Sequence, residues 1–180
     1  CRRCPGRLLE AGPEDYHPFI HIPAGYIKNI YSRKLTWNFK SKPMQHTANR
    51  SFILPQGRVI GGSSSINGLN HVRGQPSDYD GWSQLGNQGW SYSEVLPYFK
   101  RSEKRIGLGN DEVRGRDGEL PVTDLDLIHP TCEAFIEGAA SLGIPRNPDY
   151  NSGDLAGLGY FQRNILSLIH ISEPTRRKRI

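Results

Sequence analysis

A segment rich in glycine, serine and asparagine, residues 57–80, carries the groups best suited to chemistry in this 180-residue chain. Glycine lets backbone N–H groups approach a ligand closely, because no Cβ stands in the way. Serine and asparagine add directional hydrogen-bonding groups, and Arg58 and Arg73 add fixed positive charge. The segment therefore suits a polyanionic or heteroatom-rich cofactor, and the alternative is a plain Gly/Ser loop. The small and polar positions are Gly57, Gly61, Gly62, Ser63, Ser64, Ser65, Asn67, Gly68, Asn70 and Gly74.

Two familiar glycine motifs nearly fit this segment. Residues 57–64 begin with the spacing of a phosphate-binding loop, but Ser63 stands where that loop needs a lysine. The nucleophile elbow of serine hydrolases needs a glycine two positions after its serine, and neither Ser63 nor Ser64 has one. A P-loop nucleotide hydrolase and a serine hydrolase are therefore both disfavoured.

The same segment resembles the first signature of the glucose-methanol-choline (GMC) family of flavin-dependent alcohol oxidoreductases. One position departs, since His71 stands where the family usually carries an aromatic residue or alanine. In some members a histidine at the position of Ile66 bonds the flavin covalently, so the resemblance implies non-covalent FAD here. The matching residues are Gly57, Arg58, Ile60, Gly61, Gly62, Ser63, Ser64, Ile66, Asn67, Gly74 and Asp80.

The resemblance also implies a flavin site and a reaction. The reaction is hydride transfer from the carbon of an alcohol to flavin N5, while a histidine base accepts the hydroxyl proton. That histidine belongs to the family's C-terminal part, and neither His71 nor His129 matches it, so no catalytic residue is assigned and no turnover is expected. The cofactor-binding residues implied are Glu10 at the ribose, Gly61, Gly62 and Ser63 along the cofactor, and Asn67, Gly68 and Asn70 beside the isoalloxazine.

The role implied for Glu10 rests on residues 8–12, which look like the second strand of a dinucleotide-binding unit. Such a strand ends in an acidic residue that binds the ribose, and a surface glutamate is the alternative. The G-x-G-x-x-G expected roughly 20 residues earlier is absent, so we expect the chain to start inside a gene, with residues 1–7 as a damaged edge. Without that helix N-terminus for the pyrophosphate, we expect this chain alone to bind FAD weakly or not at all.

The fold class expected is an α+β fragment, rich in loops. It combines part of an α/β, Rossmann-like FAD-binding domain over residues 8–76 with the start of an α+β substrate domain over residues 77–165. The tail, residues 166–180, resembles the translation of a sequencing adapter, and a native amphipathic tail is the alternative. The rival interpretation of the whole chain is a non-enzymatic anion- or nucleotide-binding module that uses the Gly/Ser loop.

Charge distribution, cysteine count and the length of apolar runs limit the classes of partner and the location that this chain can have. Of the net charge of +5, residues 1–7 carry +3 and residues 166–180 carry +3, which leaves −1 for the rest. Nucleic-acid binders concentrate charge on the folded surface, so no nucleic acid is expected. Three cysteines are too few for a disulfide framework, and no apolar run approaches the ~20 residues that span a bilayer. The chain is interpreted as a soluble, cytoplasmic piece whose parent acts on a small alcohol; the alcohol, the electron acceptor and any association of the parent with a membrane stay open.

Several local patterns predict the elements that surround the glycine segment. Ser77 with Asp80 and Ser91 with Glu94 have capping-box spacing, so each pair should start a helix. A third helix is predicted over residues 130–142, and short strands over residues 36–40, 51–54 and 120–123. Residues 106–119 read as a solvated loop, and Asp149, Asn151 and Asp154 as a polar turn. His17, His21 and His46 are interpreted as loop histidines, and no metal is proposed.

Overall fold

A computed structural model of the chain describes residues 9–167 and 170–171. The chain divides after Gly68 into two compact units, one built from the described residues up to 68 and one from those after it. Within the described residues the strands form four two-stranded sheets, and much of the chain is loop. The expected loop-rich mixture of helix and strand is therefore confirmed.

The first unit packs short elements around a small apolar core. Two one-turn helices, α1 (Pro18–His21) and α2 (Tyr26–Asn29), precede strands β1 (Phe39–Lys40) and β2 (Ile53–Leu54), which pair antiparallel. Both predicted strand regions are thus confirmed, although each contributes only two paired residues. The core consists of Ile20, Leu35, Val59 and Ile66.

The strand predicted at residues 8–12 is wrong for the part that the structure describes. Residues 9–12 run into a bend, where a Glu10 carboxylate oxygen accepts a hydrogen bond from the backbone N–H of Gly12 over 2.8 Å. A strand needs a hydrogen-bonded neighbour, and none of the described strands pairs with this segment. Leu8 lies outside the described residues, as do Cys1 and Cys4.

Three longer helices lie in the second unit: α3 (Pro76–Gln84), α4 (Tyr92–Ser102) and α5 (Pro130–Ser141). The capping box of α4 is confirmed, since Glu94 accepts from the backbone N–H of Ser91 over 3.1 Å. The cap of α3 differs from the prediction. Its capping box joins Gln75 to Asp78, because proline at the first helical position starts the helix at Pro76.

Asp80, one of the two residues predicted to cap α3, serves another contact. Asp80 accepts a hydrogen bond from the backbone N–H of Tyr92 over 2.9 Å, which ties α3 to the start of α4. Between the two helices, Trp82 and Trp90 meet edge to face with ring centroids 5.7 Å apart. The aromatic pair therefore packs α3 against the segment that leads into α4.

The second unit also contains strands β3 (Asn70–His71), β4 (Glu103–Arg105), β5 (Leu120–Val122), β6 (Gln162–Arg163) and β7 (Ile165–Ser167). Strand β3 pairs antiparallel with β6, and β4 pairs parallel with β5. The strand predicted at residues 120–123 is confirmed. The prediction of a solvated loop over residues 106–119 is wrong in part. Arg114 of this loop is fully buried and forms ion pairs with acidic side chains.

The tail falls largely outside the described residues, which omit 168–169 and 172–180. Its described part continues β7 and forms β8 (His170–Ile171), and the two strands pair antiparallel. None of the described helices is both long and apolar enough to cross a membrane.

Candidate functional site

The glycine segment forms a tight turn with two left-handed glycines. Gly61 has a φ of +89° and Gly62 a φ of +59°, and Gly62–Ser65 form a single turn of 3-10 helix. Residues with a Cβ rarely adopt such φ angles, so these two positions need glycine for the backbone path itself.

The serine hydroxyls of this turn mostly bind the turn's own backbone. Ser64 donates to the carbonyl of Gly61 over 2.6 Å, and Ser65 donates to the carbonyl of Ile60 over 2.7 Å. The hydroxyl oxygen of Ser63 accepts from the backbone N–H of Gly57 over 3.0 Å. The hydroxyls therefore fix the shape of the turn, and the backbone is the part that remains to face a ligand.

The glycines of this region divide into two kinds. A Cβ on Gly57 would lie 2.3 Å from the backbone of Gly62, and one on Gly12 would lie 1.9 Å from the carbonyl oxygen of Arg58. These two glycines allow chain segments to cross closely. A Cβ on Gly62 would instead meet no atom within 4 Å, so this side of the turn faces open space.

Two contacts bring the Glu10 loop to the glycine segment within the first unit. Gly12 lies against Arg58, and the backbone N–H of Ile60 donates to the carbonyl of Pro13 over 3.0 Å. The Glu10 side chain is exposed and accepts only the local hydrogen bond from Gly12 among the contacts of the described residues. Its carboxylate therefore remains accessible at the margin of the glycine segment.

The other predicted site residues follow the turn along the chain. Asn67 and Gly68 are exposed, and Gly68 passes close to the ring of Tyr26, since a Cβ there would lie 3.7 Å from it. Asn70 is exposed in β3 and belongs to the second unit. The structure thus unites Gly61, Gly62 and Ser63 in one turn, while Asn70 stands in a separate unit.

A Gly/Ser turn with an open glycine face, next to a loop that presents a carboxylate, is typical of segments that bind the nucleotide cofactor of a redox enzyme. Residues 28–166 match the sequence profile of the GMC oxidoreductases. The chain belongs to the GMC oxidoreductase family, as the signature within residues 57–80 predicted.

Its relatives are longer flavoenzymes and dehydrogenases. The oxygen-dependent choline dehydrogenase of Rhizobium etli (strain CIAT 652) is 41% identical over 160 residues, which cover 89% of this chain and 29% of the relative. The crystal structure of pyridoxine 4-oxidase from Mesorbium loti superimposes with a TM-score of 0.79 and 37% identity, over 87% of this chain and 31% of that one. An FAD-dependent oxidoreductase from Chaetomium thermophilum superimposes with a TM-score of 0.78 and 28% identity, over 93% of this chain and 31% of that one. The chain thus spans less than a third of each relative.

The residues of the turn fit the FAD that this family implies. The backbone N–H of Gly61 has no hydrogen-bond acceptor among the described residues, and the adjoining Gly62 face is open. Arg58 lies over the ring of Trp37 at 5.6 Å, and its Nε is buried without a described partner. Neutral backbone donors beside a fixed positive charge suit the phosphates and ring heteroatoms of a dinucleotide. Within the described range, no cluster of three metal-binding side chains is present.

Sequence reasoning missed a buried polar cluster in the second unit. Glu103 and Arg114 are each 1% exposed, and they pair with each other and with Arg73 and Asp149. The local pattern gave no signal for it, because these four residues come from four separate stretches of chain and meet only in the folded unit.

His71 borders this cluster, with its Nε2 3.9 Å from a carboxylate oxygen of Glu103. Burial lowers the pKa of His71 to about 4, although the Glu103 carboxylate acts in the opposite direction. His71 is therefore neutral at physiological pH. The position that departs from the family pattern is occupied by an uncharged, largely buried side chain.

Proposed function

We propose that this chain is part of an FAD-dependent oxidoreductase that removes hydride from a CH–OH donor, with a small alcohol as substrate. The observation that carries the proposal is the turn of residues 61–65, whose left-handed glycines leave an open face within a segment that matches the GMC family. When bound, FAD supplies the hydride acceptor, and the chain supplies binding and orientation.

The residue roles follow from this arrangement. Gly61, Gly62 and Ser63 let the backbone approach the cofactor, and Glu10 accepts hydrogen bonds from the adenosine ribose. Asn67, Gly68 and Asn70 lie beside the isoalloxazine in this proposal. Their exposure in the structure supports it, because ligand-binding groups must be accessible.

The flavin is held without a covalent bond at position 66 in this proposal. Ile66 has no nucleophilic atom, and its side chain is buried against Ile20, Leu35 and Val59. The residue therefore anchors the turn to the core.

The catalytic base is not among the described residues in this proposal. His71 has a pKa lowered to about 4, which makes it a weak base, and His129 caps α5 by accepting from the backbone N–H of Thr131 over 3.2 Å. Burial beside Glu103 accounts for His71, and helix capping accounts for His129, so neither needs a catalytic role. We expect residues 77–165 to contribute the beginning of the substrate domain.

The test uses the complete product of the gene that encodes this chain. We expect it to carry FAD and to reduce an artificial electron acceptor when given choline or primary alcohols. Gly62→Val should abolish flavin content, because the new side chain fills the open face of the turn. Gly86→Val is the matched control: Gly86 also has a positive φ and open surroundings but lies in the second unit, in the turn after α3. Equal loss of flavin in both variants would contradict the proposed site.

Ser63→Ala and Asn67→Ala separate this function from a non-enzymatic anion-binding module. Loss of bound flavin, read from the visible absorbance spectrum, supports the oxidoreductase. Unchanged flavin content with weakened binding of an inorganic anion such as phosphate would support the module instead.

A further inference from the structure

Five polar residues of the second unit form a closed ring of hydrogen bonds, which we call the Arg73–Asn151 ring. The carboxylate of Glu103 lies between the guanidinium groups of Arg73 and Arg114. Arg114 donates to Oδ1 of Asp149 over 2.6 Å, and the same oxygen accepts from the backbone N–H of Asn151 over 2.9 Å. The ring closes where Oδ1 of Asn151 accepts from the backbone N–H of Arg73 over 2.7 Å.

The side chain of Asn151 acts as a partner for the strand backbone. While its Oδ1 binds the N–H of Arg73, its Nδ2 donates to the carbonyl of His71 over 3.1 Å. Backbone groups two residues apart face the same side of a strand, so one amide replaces the donor and the acceptor of a neighbouring strand. Asn151 therefore extends the hydrogen bonding of β3 past its paired residues.

Hydrogen bonds at both ends of its amide hold the Asn151 side chain in one orientation. Its Nδ2 also donates to the side-chain oxygen of Gln162 in β6 over 2.8 Å, and the residue is 2% exposed. The two arginines balance Glu103 and Asp149 in charge. Because removing one member would leave a buried charge or a buried polar group without its partner, the ring should resist rearrangement.

We propose that Asn151 is a positioning residue for the flavin site, because its amide fixes the backbone of β3 and thereby the direction of Asn70. The side-chain amide of Asn70 has no hydrogen-bond partner among the described residues, so its place depends on the backbone that carries it. This inference rests on the proposed function, in which Asn70 lies beside the isoalloxazine.

A double-mutant cycle on the complete gene product tests the coupling. Asn70→Ala and Asn151→Ala should each raise the Kd for FAD by roughly tenfold, the effect expected of one lost hydrogen bond. If Asn151 acts through Asn70, the double variant should bind FAD no more weakly than the weaker single variant. A Kd that rises by the product of the two single effects would overturn the inference. Asn151→Ser, whose shorter side chain removes the amide while keeping a small polar group, takes the place of Asn151→Ala if that variant does not fold.

Asn147 provides the matched control. It is another buried asparagine of the same loop, and its Nδ2 donates to the carbonyls of Asp154 and Ala156. Its Oδ1 accepts from the backbone N–H of Asp149 over 2.9 Å, so it touches the loop part of the ring but makes no described hydrogen bond to β3. Asn147→Ala should lower thermal stability, and its effect on the Kd for FAD should combine additively with that of Asn70→Ala. Coupling as strong as that of Asn151 would mean a general effect of loop damage and would count against the inference.

A measurement without flavin separates the two proposals. In the 180-residue chain, Asn151→Ala should speed hydrogen exchange of the Arg73 backbone amide, and Asn147→Ala should not. Unchanged exchange in Asn151→Ala would show that its amide does not hold the strand. If the complete product binds no FAD at all while exchange responds as expected, the proposed function fails and the structural part of the inference stands.

Discussion

The surroundings of His71 make the stability of the chain depend on pH. Its folded pKa of about 4 lies below the ordinary value of 6.5, so the unfolded chain binds the proton more tightly. The stabilisation is complete above pH 6.5 and is lost as pH falls towards 4. Its size is at most about 3 kcal/mol. We expect urea denaturation to show this decline in the free energy of unfolding over that range.

His71→Gln is the control for this effect, because an amide does not titrate. The variant should lose less stability between pH 6.5 and 4 than the native chain, while the carboxylates contribute equally to both. Identical slopes for the two proteins would contradict the neutral, buried state of His71.

At single positions, residue type indicated where the backbone turns tightly, but not which glycines face open space. The spacing of Gly61, Gly62 and Ser63 was sufficient to indicate a segment in which the backbone turns tightly, and its approach to a cofactor stays a prediction. It could not tell Gly62, which faces open space, from Gly57, which is glycine because another segment crosses it at contact distance. That difference depends on the path of the folded chain, which no short pattern encodes.

Among the helices, the start of α3 offers a direct test of the cap. Asp78→Ala should destabilise the chain by about 1 kcal/mol, because Asp78 accepts the otherwise unpaired N–H of Gln75. Ser77→Ala should change the free energy of unfolding by less than about 0.5 kcal/mol, because that exposed side chain does not cap the helix. Urea denaturation of both variants measures the two values. A larger effect of Ser77→Ala than of Asp78→Ala would contradict this cap and support the one predicted from the sequence, in which Ser77 starts the helix.

Helices with strong end signals were predictable, and strand β4 was not. Ser91 with Glu94, and Pro130 with Gly143, bracket α4 and α5 nearly where they form. Strand β4 does alternate between buried and exposed residues, but Glu103 and Arg105 are the buried ones. Because its inward face is charged, a search for alternating apolar residues passes over it.

For the molecule as a whole, the buried ion pairs of Glu103 should matter far more than exposed ones. Glu103→Gln leaves Arg73 and Arg114 buried without a full counter-charge, which should cost about 3–5 kcal/mol, a large part of the stability of an ordinary domain. Glu133→Gln is the control, since Glu133 also pairs with an arginine, Arg146, but near the surface. We expect Glu133→Gln to change the free energy of unfolding only slightly. Urea denaturation that gave similar losses for both variants would contradict the buried pairing.

The Arg73–Asn151 ring also limits how this chain can be recombined with a relative. Its members are spread from residue 73 to residue 151, so a crossover inside that interval would join partners that were not selected together. Hybrid genes should therefore exchange this stretch as one block, with junctions near Gly68, where the two compact units meet in sequence, and beyond Gln162.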